Sequence, residues 1–169
     1  MGNIIYLKRD EGISLSEKKK MAQLLKVIIY FSNHSHKKIY KTKLNKLLFY
    51  SQFLYYKEYG VKLIDYDFIR DFHGPTINEL DTLLNKYKEI NAIELENTQF
   101  GTVINSKINI NEYTMYTENE KRILEKVIEK FKDHTSANIS DYSHKESLWL
   151  NTPHKEVIAI ERANELNEF

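Results

Sequence analysis

Between Lys43 and Gly60 the chain runs K-L-N-K-L-L-F-Y-S-Q-F-L-Y-Y-K-E-Y-G, and this stretch limits the possible folds more than any other. At helical spacing Leu44, Leu47, Leu48, Ser51, Leu54 and Tyr55 share one side. Phe49, Tyr50, Phe53, Tyr56 and Tyr59 cover most of what remains. A helix that is apolar nearly all round has no face to give to water, so other elements must surround it. Thr42 is the expected N-cap. Gly60 is the expected C′ residue, where a positive φ carries no Cβ penalty. The stretch therefore predicts one domain in which helices pack around a central buried helix at 43–59.

A chain of 169 residues can bury the core such a helix needs. The apolar residues are skewed toward aromatics, with 12 Tyr and 8 Phe beside a single Trp. A net charge of +1 creates no global field toward nucleic acid or an anionic membrane. There is no cysteine, which excludes disulfides, iron–sulfur clusters, thiolate zinc sites and a thiol nucleophile together. No apolar run approaches the ~20 residues of a membrane span, and M-G-N-I-I-Y at the start has no signal-peptide core. Tyr6 stands where a myristoylation signal calls for Ser or Thr. The expected setting is cytoplasmic, with no membrane partner. Neither G-x-G-x-x-G nor a Walker pattern occurs, so no cofactor is expected.

Residues 1–13, with Ile4 to Leu7 as their apolar run, are expected to form an N-terminal arm or edge strand. Ser14 and Glu17 have capping-box spacing, and Met21, Leu24, Leu25, Ile28 and Phe31 predict an amphipathic helix ending near Ser32-Asn33. Beyond Gly60, V-K-L-I-D-Y-D-F-I-R-D predicts a loop or short strand. His73-Gly74-Pro75 is a hard turn, with Pro75 opening a helix that carries Ile77, Leu80, Leu83, Leu84 and Tyr87. Within 92–110, A-I-E-L-E, T-V-I-N and K-I-N-I are expected to form a small hairpin or meander. Thr117 and Glu120 start a further helix through Ile123, Leu124, Val127 and Phe131, and Thr135 caps a short one. Thr152 and Pro153 are expected to open a last helix through Val157 and Leu166. The predicted fold is mainly α with a small β element (α+β), and 14–169 form one domain.

Three stretches together resemble the Panacea domain of SocA-like antitoxins. K-L-N-K-L-L-F-Y-S-Q at 43–52 is similar to that family's Lys-Leu-x-Lys-Leu-Leu-Tyr-Tyr-Ala-Gln helix. F-H-G-P-T-I-N-E-L at 72–80 matches its aromatic-x-Gly-Pro-x-x-x-x-Leu turn, and S-H-K-E-S-L-W at 143–149 its Thr/Ser-His-x-Glu-x-x-Trp segment. The resemblance runs from roughly Lys18 to Phe169. It assigns a structural role to Lys43, Leu44, Lys46, Leu47, Leu48, Tyr50, Gln52, Gly60, His73, Gly74, Pro75, Leu80, His144 and Trp149. It implies a mainly helical domain that neutralises a cognate protein toxin, encoded by the adjacent gene, through direct binding and without catalysis. Similar domains pair with toxins of unrelated folds. The family's founder delivers its toxin to a cellular protease, which makes a protease a second candidate partner.

Rival chemistry is weaker. His34 and His36 lie two apart in a polar connection, which does not give the i, i+4 ligand face of a helical zinc site. His73 and His144, with Asp71, Asp141 or Glu146 orienting an imidazole, could serve a small enzyme. No nucleophile or oxyanion turn accompanies them, so buried histidines fixing two turns beside the central helix are the preferred reading. Lys37, Lys38, Lys43 and Lys46, with Tyr40 and Tyr50, form a basic edge that a nucleic-acid-binding regulator could use. Lysines of this kind more often border a buried helix with the ammonium in water, so nucleic acid is disfavoured as a partner. A protein-binding face is expected at Tyr55, Tyr56, Tyr59, Tyr66 and Phe68, since tyrosine combines an aromatic body with a polar tip.

Overall fold

The computed structural model describes residues 12–167 and Phe169. The elements are α1 (Leu15–His34), β1 (Ile39–Tyr40), α2 (Lys41–Tyr59), β2 (Phe68–Asp71), β3 (Gly74–Ile77), α3 (Leu80–Glu89), β4 (Ile93–Thr98), β5 (Gly101–Ser106), α4 (Glu112–Met115), α5 (Glu118–Phe131), α6 (Ser136–Ser143), α7 (Ser147–Leu150) and a 3₁₀ turn at Ile160–Glu165. The expected mainly helical α+β class is what forms. The expectation for residues 1–13 falls outside the described residues except at Gly12 and Ile13.

α2 is the centre of this arrangement. Every residue from Leu44 to Leu54 is buried, polar ones included, because α1, α5, α6, β3 and the 3₁₀ turn all pack against it. Full enclosure is what the absence of a polar face demanded. Gly60 ends the helix in the left-handed conformation at φ 70°, donating its N–H to the Tyr56 carbonyl. Capping at the other helix starts follows the expected chemistry as well. The hydroxyls of Ser14, Thr117 and Thr135 accept from the amides of Glu17, Glu120 and Asn138.

Four local expectations are corrected. α2 begins at Lys41 with Tyr40 as its cap, because Ile39 and Tyr40 pair with Ile104 and Val103 and lead straight from strand into helix; Thr42 lies inside the first turn. Pro75 does not open a helix. It sits in β3 opposite Arg70, in a two-stranded sheet whose other edge is met by α2 side chains, and an edge strand tolerates a missing N–H. Ile77 belongs to that strand, and the helix starts only at Leu80. K-I-N-I leaves the sheet, since Ser106 gives its N–H to Ser32 and its hydroxyl to the Ile108 carbonyl; the third strand is β1, in the antiparallel order β1-β5-β4. Thr152 closes α7 by donating to the Leu148 carbonyl, and the next helical element is the 3₁₀ turn at Ile160–Glu165. Residues 155–158 instead hydrogen-bond to β2, through Lys155 N to Arg70 O, Arg70 N to Glu156 O and Ile158 N to Phe68 O.

Candidate functional site

The polar side chains of α2 bind the backbone of the elements around it. The Lys43 ammonium donates to the carbonyls of Phe131 (2.9 Å) and His134 (2.6 Å), where α5 ends and unpaired carbonyls concentrate negative charge. Asn45 Oδ1 accepts from Ile77 N, and Lys46 Nζ donates to Pro75 O at 2.9 Å, so two residues of α2 hold β3. Gln52 makes three bonds to the chain just past the helix: its Nε2 donates to Ile64 O, and its Oε1 accepts from the amides of Leu63 and Ile64. Tyr50 donates its hydroxyl to Glu146 Oε1 at 3.1 Å. Glu146 Oε2 in turn accepts from Asn167 N at 3.0 Å, tying the end of the chain to α2.

These contacts place two ionisable groups in the interior. Lys46 is 2% exposed, and burial lowers its pKa to about 8 against the opposing pull of Asp71. Glu146 is 0% exposed; burial raises its pKa, while the hydrogen bonds from Asn167 and Tyr50 act the other way. Tyr50 is held neutral by burial and by the neighbouring carboxylate.

The β2–β3 turn is clamped between α2 and α6. Gly74 has φ 103°, and a Cβ there would lie 2.6 Å from both Lys46 Cε and Ser143 Oγ. Trp149 covers the turn's flank. Its Nε1 donates to Asp71 O at 3.3 Å, the Arg70 guanidinium lies 4.1 Å from its ring centre, and the His144 ring stacks on it at 4.2 Å. Arg70 also donates to the carbonyls of Leu150 and Thr152. Half-buried His144 has its pKa lowered by burial and by the nearby Lys46. His73 departs from expectation: it is exposed, its ring edge-on to Phe72, because the turn residues point outward while Gly74 and Pro75 face the core. Neither imidazole bonds to Asp71, Asp141 or Glu146. Asp71 accepts from Lys155 and from Phe72 N, which hold its pKa down, and Glu146 is taken by Tyr50 and Asn167.

Of the expected partner residues, Tyr66 and Phe68 are corrected to the interior, 7% and 1% exposed. Phe68 packs on Phe49 and Phe53, and the Lys20 ammonium lies over the Tyr66 ring. The signal for this was in the sequence. Ile64, Tyr66 and Phe68 alternate with Asp65 and Asp67, the period of a chain with one buried side. Tyr55, Tyr56 and Tyr59 are half-buried, and the Tyr59 hydroxyl accepts from Arg122. The basic edge is dispersed: Lys38 is 3.6 Å from Glu96, Lys41 is 2.8 Å from Asp81, and Lys43 and Lys46 turn inward to carbonyls. His34 stacks on Tyr30 and pairs with Glu112, while His36 is exposed. No group of three or more potential metal ligands occurs among the described residues. Sequence reasoning missed the large apolar side chains left in solvent, among them Phe72 and Phe100 at two hairpin tips, 75% and 77% exposed.

A profile of the family described as Antitoxin SocA-like, Panacea domain matches residues 44–150, from the first buried leucine of α2 to the end of α7. The chain belongs to this family. No curated protein and no solved structure matches it. The Panacea motif coincides with the interior network: Leu44, Lys46, Leu47, Leu48, Tyr50, Gln52, Gly74, Pro75 and Leu80 are all buried, and only His73 among the motif side chains stands clear of it together with the capping Gly60. Within the described residues of this Panacea chain, no helix is long and apolar enough to cross a membrane.

Proposed function

We propose that this chain is an antitoxin that binds a cognate protein toxin directly in the cytoplasm and neutralises it by occlusion, performing no chemistry of its own. Membership of the SocA-like antitoxin family carries the reading. The network around α2 supports it. Glu146, Lys43 and Lys46, the ionisable groups of that network, are engaged with backbone and tyrosine partners. Such a network serves rigidity, and a rigid body loses little conformational freedom when it docks. The expected partner is the product of the neighbouring reading frame.

Expressing that product with and without this chain tests the proposal. Growth arrest relieved by the chain, with the two proteins co-purifying as a complex, is the expected result. Arrest that persists at full expression of a folded chain rejects it. So does relief that requires His73 or His144 and occurs without a complex, since an enzyme acting on the toxin's product would give that pattern.

A further inference from the structure

An open groove lies between the β4–β5 tip, β1 and the start of α6. It encloses about 600 Å³ and is lined by Tyr40, Phe100, His134, Thr135, Ser136 and Ala137, with mostly apolar walls. Pockets of this size accept large side chains or small ligands. Phe100 lines it, and its backbone is held in place. It occupies the two-residue turn of the hairpin, its N–H donates to the Thr98 hydroxyl, and that hydroxyl donates to Gly101 O. The ring itself is 77% exposed and contributes nothing to the core. Exposed aromatics beside a cleft are frequent anchors of protein interfaces.

The charge around the groove is cationic on one side. Exposed Lys37 and Lys38 border it, Lys38 within 3.6 Å of Glu96, with Asp133 on the lining beside Lys43. The first turn of α6 also borders it, and the Ser136 hydroxyl there is buried without a hydrogen-bond partner among the described residues. The groove is too apolar to be a phosphate track, and Lys43 already serves two carbonyls.

We infer that this groove is the toxin-docking site, and that it takes a segment of the toxin carrying an aromatic or branched aliphatic anchor flanked by carboxylates. The anchor packs between Phe100, Tyr40 and Ala137, and the carboxylates meet the Lys37–Lys38 rim. The inference rests on the antitoxin reading and adds the surface and the chemistry of the partner.

The test uses the full chain and the purified product of the neighbouring reading frame. Phe100→Ser and Ala137→Arg, which empties or fills the groove at exposed positions, should each weaken binding at least 30-fold. Lys37→Glu with Lys38→Glu should slow association at least tenfold and flatten its salt dependence. Phe72→Ser, an equally exposed aromatic at the other hairpin tip, should bind within twofold of the unaltered chain and reports any general effect of losing surface apolar area. Circular dichroism and thermal melts confirm folding of each variant. If groove variants bind normally while Phe72→Ser does not, the docking site is elsewhere and the antitoxin reading stands. If the unaltered chain neither binds nor protects, both fall. Self-association abolished by Phe100→Ser, or salt-dependent oligonucleotide binding abolished by the lysine reversal while toxin binding persists, would assign the groove to another occupant and overturn the inference.

Discussion

Gly74→Ala is the sharpest test of how the β2–β3 turn is seated. Two penalties act at this position. The backbone holds φ 103°, a region L-residues occupy only under strain of about 1–3 kcal/mol. The new methyl would also stand 2.6 Å from Lys46 Cε and Ser143 Oγ, closer than non-bonded carbon and oxygen approach, and overpacking of this kind costs about 1–3 kcal/mol more. Neither neighbour can yield freely, since Lys46 is fixed to Pro75 O and Ser143 to Ser140 O. The total is about 4 kcal/mol, worth ~8–16 °C in Tm for a chain of this length. Gly60→Ala isolates the backbone part: φ is 70° and a Cβ there meets nothing within 4 Å, so about 1 kcal/mol is expected. Urea unfolding of both variants measures the difference. Adding Ser143→Ala to Gly74→Ala should recover part of the loss despite the hydrogen bond it removes. Equal destabilisation by the two glycine variants, or strict additivity with Ser143→Ala, would refute the steric account.

Further expectations follow from the same network. Gln52→Leu strands two amides and a carbonyl of Leu63 and Ile64 and should destabilise by about 2–4 kcal/mol, with fast hydrogen exchange at those two amides; retained protection would count against it. Glu146 has a raised folded pKa, so the folded state binds more protons than the unfolded one above about pH 4.5, and stability relative to Glu146→Gln should fall as pH rises from there; pH-series denaturation showing the opposite slope would be decisive. Lys46 has the converse sign for a base. Its folded pKa near 8 lies below the ordinary 10.5, so the burial penalty is present in full below pH 8 and relieved by pH 10.5, and wild-type stability relative to Lys46→Met should rise by about 3 kcal/mol across that window. A ¹³Cε titration of Lys46 with a midpoint above 10 would exclude this.

Much of the fold was legible because its causes are local. The three hydroxyl caps, the left-handed Gly60 and the apolar periodicity of α1, α3 and α5 act within one turn of helix, and each forms where its residues lie. What was not legible depends on distant partners. Pro75 and Thr152 carry good helix-start chemistry, yet Pro75 is claimed by Arg70 and Lys46, and Thr152 by the carbonyl of Leu148. The surface fared similarly. The partner face was expected to include Tyr66 and Phe68, whose alternation with two aspartates puts them inside, whereas Phe100 drew no expectation, because its exposure follows from the hairpin that places it at a tip.

A division of labour follows from where the motif residues sit. The stretches that resemble the family's motifs lie in the α2 network, at Gly74 and around Trp149, almost all withdrawn from solvent. A buried side chain cannot distinguish one partner from another. On the antitoxin proposal, specificity for a toxin falls to exposed positions such as Phe100, Ala137 and Lys37. Changing those positions leaves the interior hydrogen bonds untouched, so the partner can change without loss of stability. Grafting the 98–101 tip and residues 36–38 from a second Panacea chain should therefore move toxin choice toward that chain's partner while the melting temperature stays within a few degrees. Specificity that stays with the recipient's α2 instead would mean that the interior network contributes to recognition.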